Sequence, residues 1–146
     1  MAGMMDGKVA IVTGAFRGLG RAYAEALGRE GASVVCADIR YCDDTVASIV
    51  KAGGNAVAAT CNVTDMDACQ AMADLAMERY GRIDALVNNA ALYADMKGGR
   101  FETLDPAEWQ KMMDVNITGI WHCCKAVIEP MRKQQGGSII NISSLA

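Results

Sequence analysis

The sequence predicts a doubly wound α/β sheet of parallel strands, and two observations carry that prediction. Short runs that are apolar at every position alternate with longer stretches of helical periodicity. A glycine-lined turn, Thr13 to Gly20, stands between the first apolar run and the first helical stretch. Strands with two apolar faces need helices on both sides, and each helical crossover returns the chain in the same direction. The predicted spatial order of the strands is three, two, one, four, five.

The elements follow in order. Lys8 to Thr13 reads as strand one, with Val9, Ala10, Ile11 and Val12 apolar on both faces. Helix one runs from about Gly18 to Arg29, rich in alanine, with Gly31 as its stop. Ser33 to Ala37 is strand two. Val46, Ile49 and Val50 mark one face of a second helix that ends at Gly53-Gly54. Ala56 to Cys61 is strand three. Thr64 with Asp67 fits a capping box, after which Cys69, Met72, Ala73, Ala76 and Tyr80 recur at helical spacing until Gly81. Ile83 to Val87 is strand four. An unstructured loop is expected from Leu92 to Thr103, a length that usually signals function. Asp105-Pro106 with Glu108 opens a long helix, and Ser138 to Ser143 is strand five. In that last strand Ile139, Ile140 and Ile142 point to both faces. This implies that residues 1–146 are the N-terminal part of one longer domain, or that another chain covers the edge.

Composition narrows the function classes. The chain is 52% hydrophobic and 21% charged with a net charge of −3, so a nucleic-acid role has no electrostatic footprint. No stretch approaches the roughly 18 apolar residues of a membrane span. The N-terminus has neither a basic segment nor a long apolar one, which points to the cytoplasm. Six cysteines form no Cys-x-x-Cys pair and no metal spacing with the single His122, so they read as buried thiols in a reducing compartment. No metal is expected. His122, beside Trp121 in a predicted helix, reads as a packed or surface histidine.

The glycine turn carries the chemistry. A strand, a glycine-lined turn and a helix place unpaired backbone N–H groups at the positive end of the helix dipole, which suits a diphosphate. Asp38, eighteen positions beyond Gly20 at the end of strand two, can accept hydrogen bonds from a ribose diol. The residues therefore imply a dinucleotide site. The turn reads Thr-Gly-x-x-x-Gly-x-Gly, not the commoner Gly-x-Gly-x-x-Gly. Asn116 falls on a stripe formed by Trp109, Met113, Ile117, Ile120, Cys124 and Val127. A polar amide on a core-facing stripe needs hydrogen-bond partners, so Asn116 is either a satisfied structural residue that bends the helix or a functional one.

With Asn88-Asn89-Ala90-Ala91 after strand four and Ser138-Ile-Ile-Asn-Ile-Ser-Ser144 in strand five, this set resembles the short-chain dehydrogenase/reductase family from about Gly7 to Leu145. The resemblance implies a Rossmann-like fold and an oxidoreductase acting on a small alcohol or ketone. It implies cofactor contacts at Gly14, Arg17, Gly18 and Leu19 for the pyrophosphate, and at Asp38 and Ile39 for the adenosine. Asn62 and Val63 would lie at the adenine edge; the family commonly has aspartate where Asn62 stands. Asn89, Ala90 and Ile142 would line the path to the nicotinamide, with Ala91 where the family often has glycine. Asn116 matches the family's catalytic asparagine, which orders a water leading to the catalytic lysine. Ser144 matches the active-site serine, which hydrogen-bonds the reacting oxygen; without the family it reads as a strand-end serine capping local backbone. The family also implies a homotetramer or homodimer packed through the long helix and its successor.

Two tensions remain within the sequence. Arg17 favours the 2′-phosphate of NADP, whereas Asp38 repels it, and the repulsion at close range favours NAD. The proton moved with each hydride also needs a general acid/base, which the family supplies as a tyrosine with a lysine four positions later, after strand five. The one Tyr-x-x-x-Lys present, Tyr93 to Lys97, precedes Ser144, and Gly98-Gly99 oppose a helix there, so it reads as coincidence. The leading expectation is thus an NAD-dependent interconversion of a secondary alcohol and a ketone. The alternatives are a non-catalytic dinucleotide-binding module that lacks the tyrosine and lysine, and a related fold acting on nucleotide-sugars.

Overall fold

Val9–Thr13 forms strand β1, buried along its whole length because its five side chains alternate between two apolar layers. The computed structural model describes residues 3–93 and 99–144. After β1 come helix α1 (Gly18–Arg29), β2 (Ser33–Asp38), α2 (Asp43–Lys51), β3 (Asn55–Thr60), α3 (Met66–Tyr80) and β4 (Ala85–Asn88). A short 3-10 turn, Phe101–Thr103, precedes α4 (Pro106–Met113), a π-helical segment (Asp114–Thr118), α5 (Gly119–Lys133) and β5 (Ser138–Asn141). The five strands lie in the order β3-β2-β1-β4-β5, as the sequence predicts. Each pairs in parallel with its neighbours. This is a Rossmann-like doubly wound sheet.

The alternation in β1 sorts the core. Val9 and Ile11 join Val35, Ala37 and Leu86 on the face that packs Cys69, Met72 and Ala76 of α3 and Cys123, Val127 and Met131 of α5. Ala10 and Val12 join Val34, Cys36 and Val87 on the face that packs Ala24 of α1 and Ile49 of α2. The outer strand β5 ends at Asn141, short of the predicted Ser143, and it is exposed, with Ile139, Ile140 and the following Ile142 each between 37% and 40% accessible. A groove of about 620 Å³ lined by Leu27, Ala85, Val87 and Ile140 runs along the β4–β5 side of the α1/α2 face, toward the strand starts at Lys8 and Asp84. It therefore lies at the end of the sheet away from the glycine turn.

Asp84 ties those strand starts together. Its carboxylate accepts from the Val9 N–H at 2.9 Å and from Arg82 Nε and Nη2 at 2.7 and 2.6 Å, and Lys8 Nζ lies at 3.4 Å. Its own carbonyl accepts from the Ser138 N–H at 2.8 Å. The Arg82 guanidinium holds the Asp84 carboxyl below the usual carboxylate range, with burial opposing and the Val9 N–H adding to the effect.

Several local readings are corrected. Helix α3 is capped by Asp65, not Thr64: the Asp65 carboxylate accepts from the N–H groups of Asp67 and Ala68. Thr64 is drawn away because its hydroxyl and N–H both donate to Asn62 Oδ1. Val50 is exposed, and Thr45 takes the buried place on α2 together with Ile49. The stripe through Trp109, Met113 and Ile117 does not face the core, for these side chains are 53%, 37% and 57% accessible. The inward face runs instead through Glu108, Met112, Asn116, Gly119 and Cys123, one position before the predicted stripe on both sides of the π-helical segment, whose i→i+5 turn is closed by the Gly119 N–H on the Asp114 carbonyl. The expected loop carries the turn Phe101–Thr103, while Lys97 of the tyrosine–lysine spacing and the Gly98 that follows it lie outside the described residues, as do Leu145 and Ala146. Among the described residues no helix is long and apolar enough to cross a membrane.

Two outcomes follow from these contacts. Asp65→Ala lowers stability by about 1 kcal/mol in urea unfolding, whereas Thr64→Ala changes it by less than half of that. Because the folded Asp84 carboxyl is more acidic than a free one, its stabilisation is present above about pH 4 and lost as pH falls through the lower folded value. Asp84→Asn therefore lowers the urea midpoint at pH 7 and flattens its decline in acid.

Candidate dinucleotide site

In a sheet of this order the crossovers from β1 and from β4 leave in opposite directions, which opens a crevice at the carboxyl ends of those two strands. The glycine turn sits at that point. Thr13, buried at the end of β1, has a hydroxyl that accepts from the N–H groups of Asn89 and Ala90, both at 3.0 Å, and donates to the Val87 carbonyl at 3.3 Å. The Asn89 amide nitrogen returns to the Thr13 and Gly14 carbonyls at 3.1 and 3.4 Å. Gly14 takes φ +69° against Ala90, and a Cβ on Gly20 would stand 2.1 Å from the Gly14 carbonyl oxygen. Glycine is therefore required at both places, by conformation at the first and by contact at the second.

The turn delivers α1 with its first N–H groups uncapped. Arg17 occupies the N-cap with no side-chain hydrogen bond, and the first turn carries no acid. Helices α3 and α4 differ, being closed by Asp65 and Asp105. An uncapped, acid-free helix start is one that can receive an anion. Gly18 and Leu19 form its first turn, and Leu19 is 62% exposed.

Asp38 ends β2 beside this turn. One carboxylate oxygen accepts from the Phe16 N–H at 3.3 Å and the other from the Arg40 N–H at 3.0 Å. Each oxygen keeps capacity for a further donor such as a sugar hydroxyl. The exposed Ile39 follows it. Beyond β3, Asn62 commits Oδ1 to Thr64, so its amide donors are what it can offer a ligand. Val63 is buried, and its carbonyl meets His122 Nδ1 at 2.9 Å and the Cys69 thiol at 3.6 Å.

At the far side, Asn88 pairs with Asn141 across β4 and β5 at 2.9 Å, and the Ile142 N–H donates to the Asn88 carbonyl. Ser144 follows two residues later at the same end of the sheet. Asn116 lies in the π-helical segment and clamps Leu92 by both backbone groups, accepting from its N–H at 2.8 Å and donating to its carbonyl at 3.2 Å. The structure thus joins Gly14, Gly20, Asn89 and Ala90 into one contact group, places Asp38 against it through Phe16, and keeps Asn116 with the loop after β4.

Two residues of this framework have roles that the motifs do not assign. Thr13 is the hinge of the whole group. Thr45 of α2 is fully buried and donates to the Ala15 carbonyl at 2.8 Å, holding the turn from below. Its signal is a hydroxyl four residues before Ile49 on a buried helix face. Five of the six cysteines are buried, and burial pushes Cys36 up to about 12 and Cys42 to about 11. Among the described residues no cluster of His, Cys, Asp and Glu could hold a metal ion.

A parallel sheet in this order with a glycine-lined, uncapped helix start defines a nucleotide-binding fold. The short chain dehydrogenase family model matches residues 8–146, and the chain belongs to that family. It is 49% identical over 145 residues to an uncharacterized oxidoreductase of Mycobacterium tuberculosis, covering 98% of this chain and 58% of that protein. The crystal structure of a metagenomic short-chain oxidoreductase in complex with NADP is similar at 40% identity and a TM-score of 0.90, over 97% of this chain and 64% of that one. That of carveol dehydrogenase from Mycobacterium avium in complex with NAD is similar at 32% identity and a TM-score of 0.90, over 98% and 56%. The chain thus spans a little over half the length of these relatives. The family binds NAD(P), and the site fits such a dinucleotide: a cradle that a Cβ would fill, an uncapped helix start and a carboxylate one strand away.

Gly20→Ala places a methyl into the Gly14 carbonyl and the Asn89 amide. Fluorescence titration with NADH and NADPH is expected to give at least a tenfold loss of affinity for both.

Proposed function

We propose that the protein is an NAD-dependent oxidoreductase that interconverts a secondary alcohol and a ketone. The observation that carries this reading is the uncapped start of α1 beside Gly14 and Gly20, with the Asp38 carboxylate held one strand away. The first-turn N–H groups at Gly18 and Leu19, with Arg17, hold the diphosphate. Asp38 accepts from the adenosine ribose, with Ile39 against it, and its charge favours NAD over NADP. Asn62 and Val63 border the adenine, and Asn89, Ala90 and Ile142 border the nicotinamide path. Asn89 does so as framework, since its amide is spent on Thr13 and Gly14.

The bound nicotinamide supplies the hydride acceptor or donor. Ser144 donates a hydrogen bond to the substrate oxygen and stabilises it as it gains charge. Because the Asn116 side chain is committed to Leu92, any water it orders is held by its main chain, in the segment where the π turn rearranges backbone hydrogen bonding. The proton of the alcohol passes to a tyrosine–lysine pair of the kind the family places after its fifth strand. Tyr93 is not assigned that role. The substrate is a small molecule, the domain is part of a longer enzyme, and copies associate as a dimer or tetramer in the cytoplasm.

Calorimetry with NADH and NADPH tests the cofactor reading, which predicts tighter binding of NADH; tighter NADPH binding would reverse it. Absorbance at 340 nm with NAD+ and a panel of secondary alcohols, using the longest form of the protein, tests the activity. Ser144→Ala is expected to lower kcat by at least a hundredfold, and full activity in that variant would remove Ser144 from the catalytic set.

A further inference from the structure

Three buried, reduced cysteines meet between α3 and α5. The Cys69 sulfur lies 3.7 Å from that of Cys123 and 3.9 Å from that of Cys61, and each of the three residues is at most 2% accessible. Cys69 stands near the start of α3, Cys61 follows β3, and Cys123 is on the inward face of α5. The Cys69 thiol also donates to the Val63 carbonyl at 3.6 Å, and the same carbonyl meets His122 Nδ1 at 2.9 Å. Gly119, one turn earlier on α5, comes so close that a Cβ there would stand 2.6 Å from the Val63 side chain. One face of α5 therefore presses on both Val63 and the thiols. Cys69 is the most acidic of the three, because the Cys123 and Cys61 thiols donate to its sulfur while burial opposes. The contact with Cys69, and then burial, push the other two up.

We propose that Cys69 and Cys123 are a peroxide-sensitive dithiol, whose closure to a disulfide pulls on the start of α3 and on the turn at Asn62 and Val63. Cys123 is the nearer partner of Cys69, and it stands on a separate helix that can slide toward α3. The Cys69 thiolate attacks one oxygen of hydrogen peroxide and keeps it as a sulfenic acid, while the other oxygen leaves as water with the thiol proton. Cys123 then attacks the Cys69 sulfur: a sulfur–sulfur bond forms, the sulfur–oxygen bond breaks and a second water departs. The two thiols lose a pair of electrons and the peroxide gains it. Peroxide is scarcely larger than water and enters as the α3/α5 layer opens, so burial sets the rate of closure and not its product.

A sulfur–sulfur bond is about 2.05 Å long, so the two atoms must approach by about 1.7 Å. The start of α3 does not move alone. The Cys69 N–H donates to the Asp65 carbonyl at 3.1 Å, and the Asp65 N–H donates to the Asn62 carbonyl at 2.9 Å. Closure also removes the S–H that the Val63 carbonyl accepts. The effect on a ligand rests on the dinucleotide reading, in which Asn62 and Val63 border the adenine, whereas the bond itself does not.

The purified protein is treated with hydrogen peroxide, its remaining thiols are blocked, and its peptides are mapped with fragmentation that separates Cys123 from Cys124 and Cys61 from Cys69. A Cys69–Cys123 link that dithiothreitol reverses is the expected result. Calorimetry on the same samples is expected to give an NADH dissociation constant raised about threefold by peroxide and restored by dithiothreitol. Cys123→Ala is expected to abolish the rise, and Cys61→Ala to keep it. Peptides in which Cys69 and Cys123 stay unlinked, or a link from Cys69 to Cys61 in place of it, overturn the site; this mapping needs no variant to fold. A link with an unchanged dissociation constant overturns its coupling to Val63. Absence of NADH binding by the reduced protein instead overturns the dinucleotide reading and leaves the link standing.

Discussion

The hydroxyl of Thr13 holds this molecule's working end together. It is the last side chain of the central strand, it is buried, and it bonds three backbone groups of β4 and the residues after it. Because β1 and β4 flank the point where the crossovers diverge, this one group fixes the width of the crevice. Asn89 then closes the link in reverse, from β4 back to the glycine turn. The close approach of Gly20 to Gly14 is possible only inside that frame. The opposite end has its own fastening in Asp84, which joins the starts of β1, β4 and β5. The sheet is thus pinned at both ends while its apolar middle is held by the two helical layers.

Much of this fold was legible because its signals are redundant. The runs Val9 to Val12 in β1 and Val34 to Ala37 in β2 are apolar at every position, which suits a buried strand, and α1 has both a glycine start and a glycine stop. The capping of α3 was misread because Thr64 and Asp65 both suit an N-cap. What decides between them is a contact with Asn62, which no local pattern encodes. The stripe through Trp109 and Ile117 failed for a different reason. Large apolar side chains at Trp109, Met113 and Ile117 drew the stripe, whereas the inward face lies one residue earlier, where Glu108 and Asn116 are polar and Gly119 has no side chain. Asn116 sits on that inward face and within the π-helical segment.

The candidate site was legible in part. Gly14, Gly18 and Asp38 announce themselves by type and spacing. Thr13 opens the same motif but shows no role there, and Thr45 lies outside it, because a threonine at a strand end or in a helix is common everywhere. Their roles come from partners distant in sequence: Thr13 with Ala90 and Thr45 with Ala15.

The burial of five cysteines has a practical corollary. Cys36 lies in the α1/α2 layer, while Cys61, Cys69 and Cys123 lie in the α3/α5 layer, and only Cys124 is partly open. A thiol-reactive dye would label Cys124 quickly and the others only as each layer breathes. The order in which the slow sulfurs acquire label would rank the two faces of the sheet by their opening free energies, giving the chain a built-in chemical stopwatch.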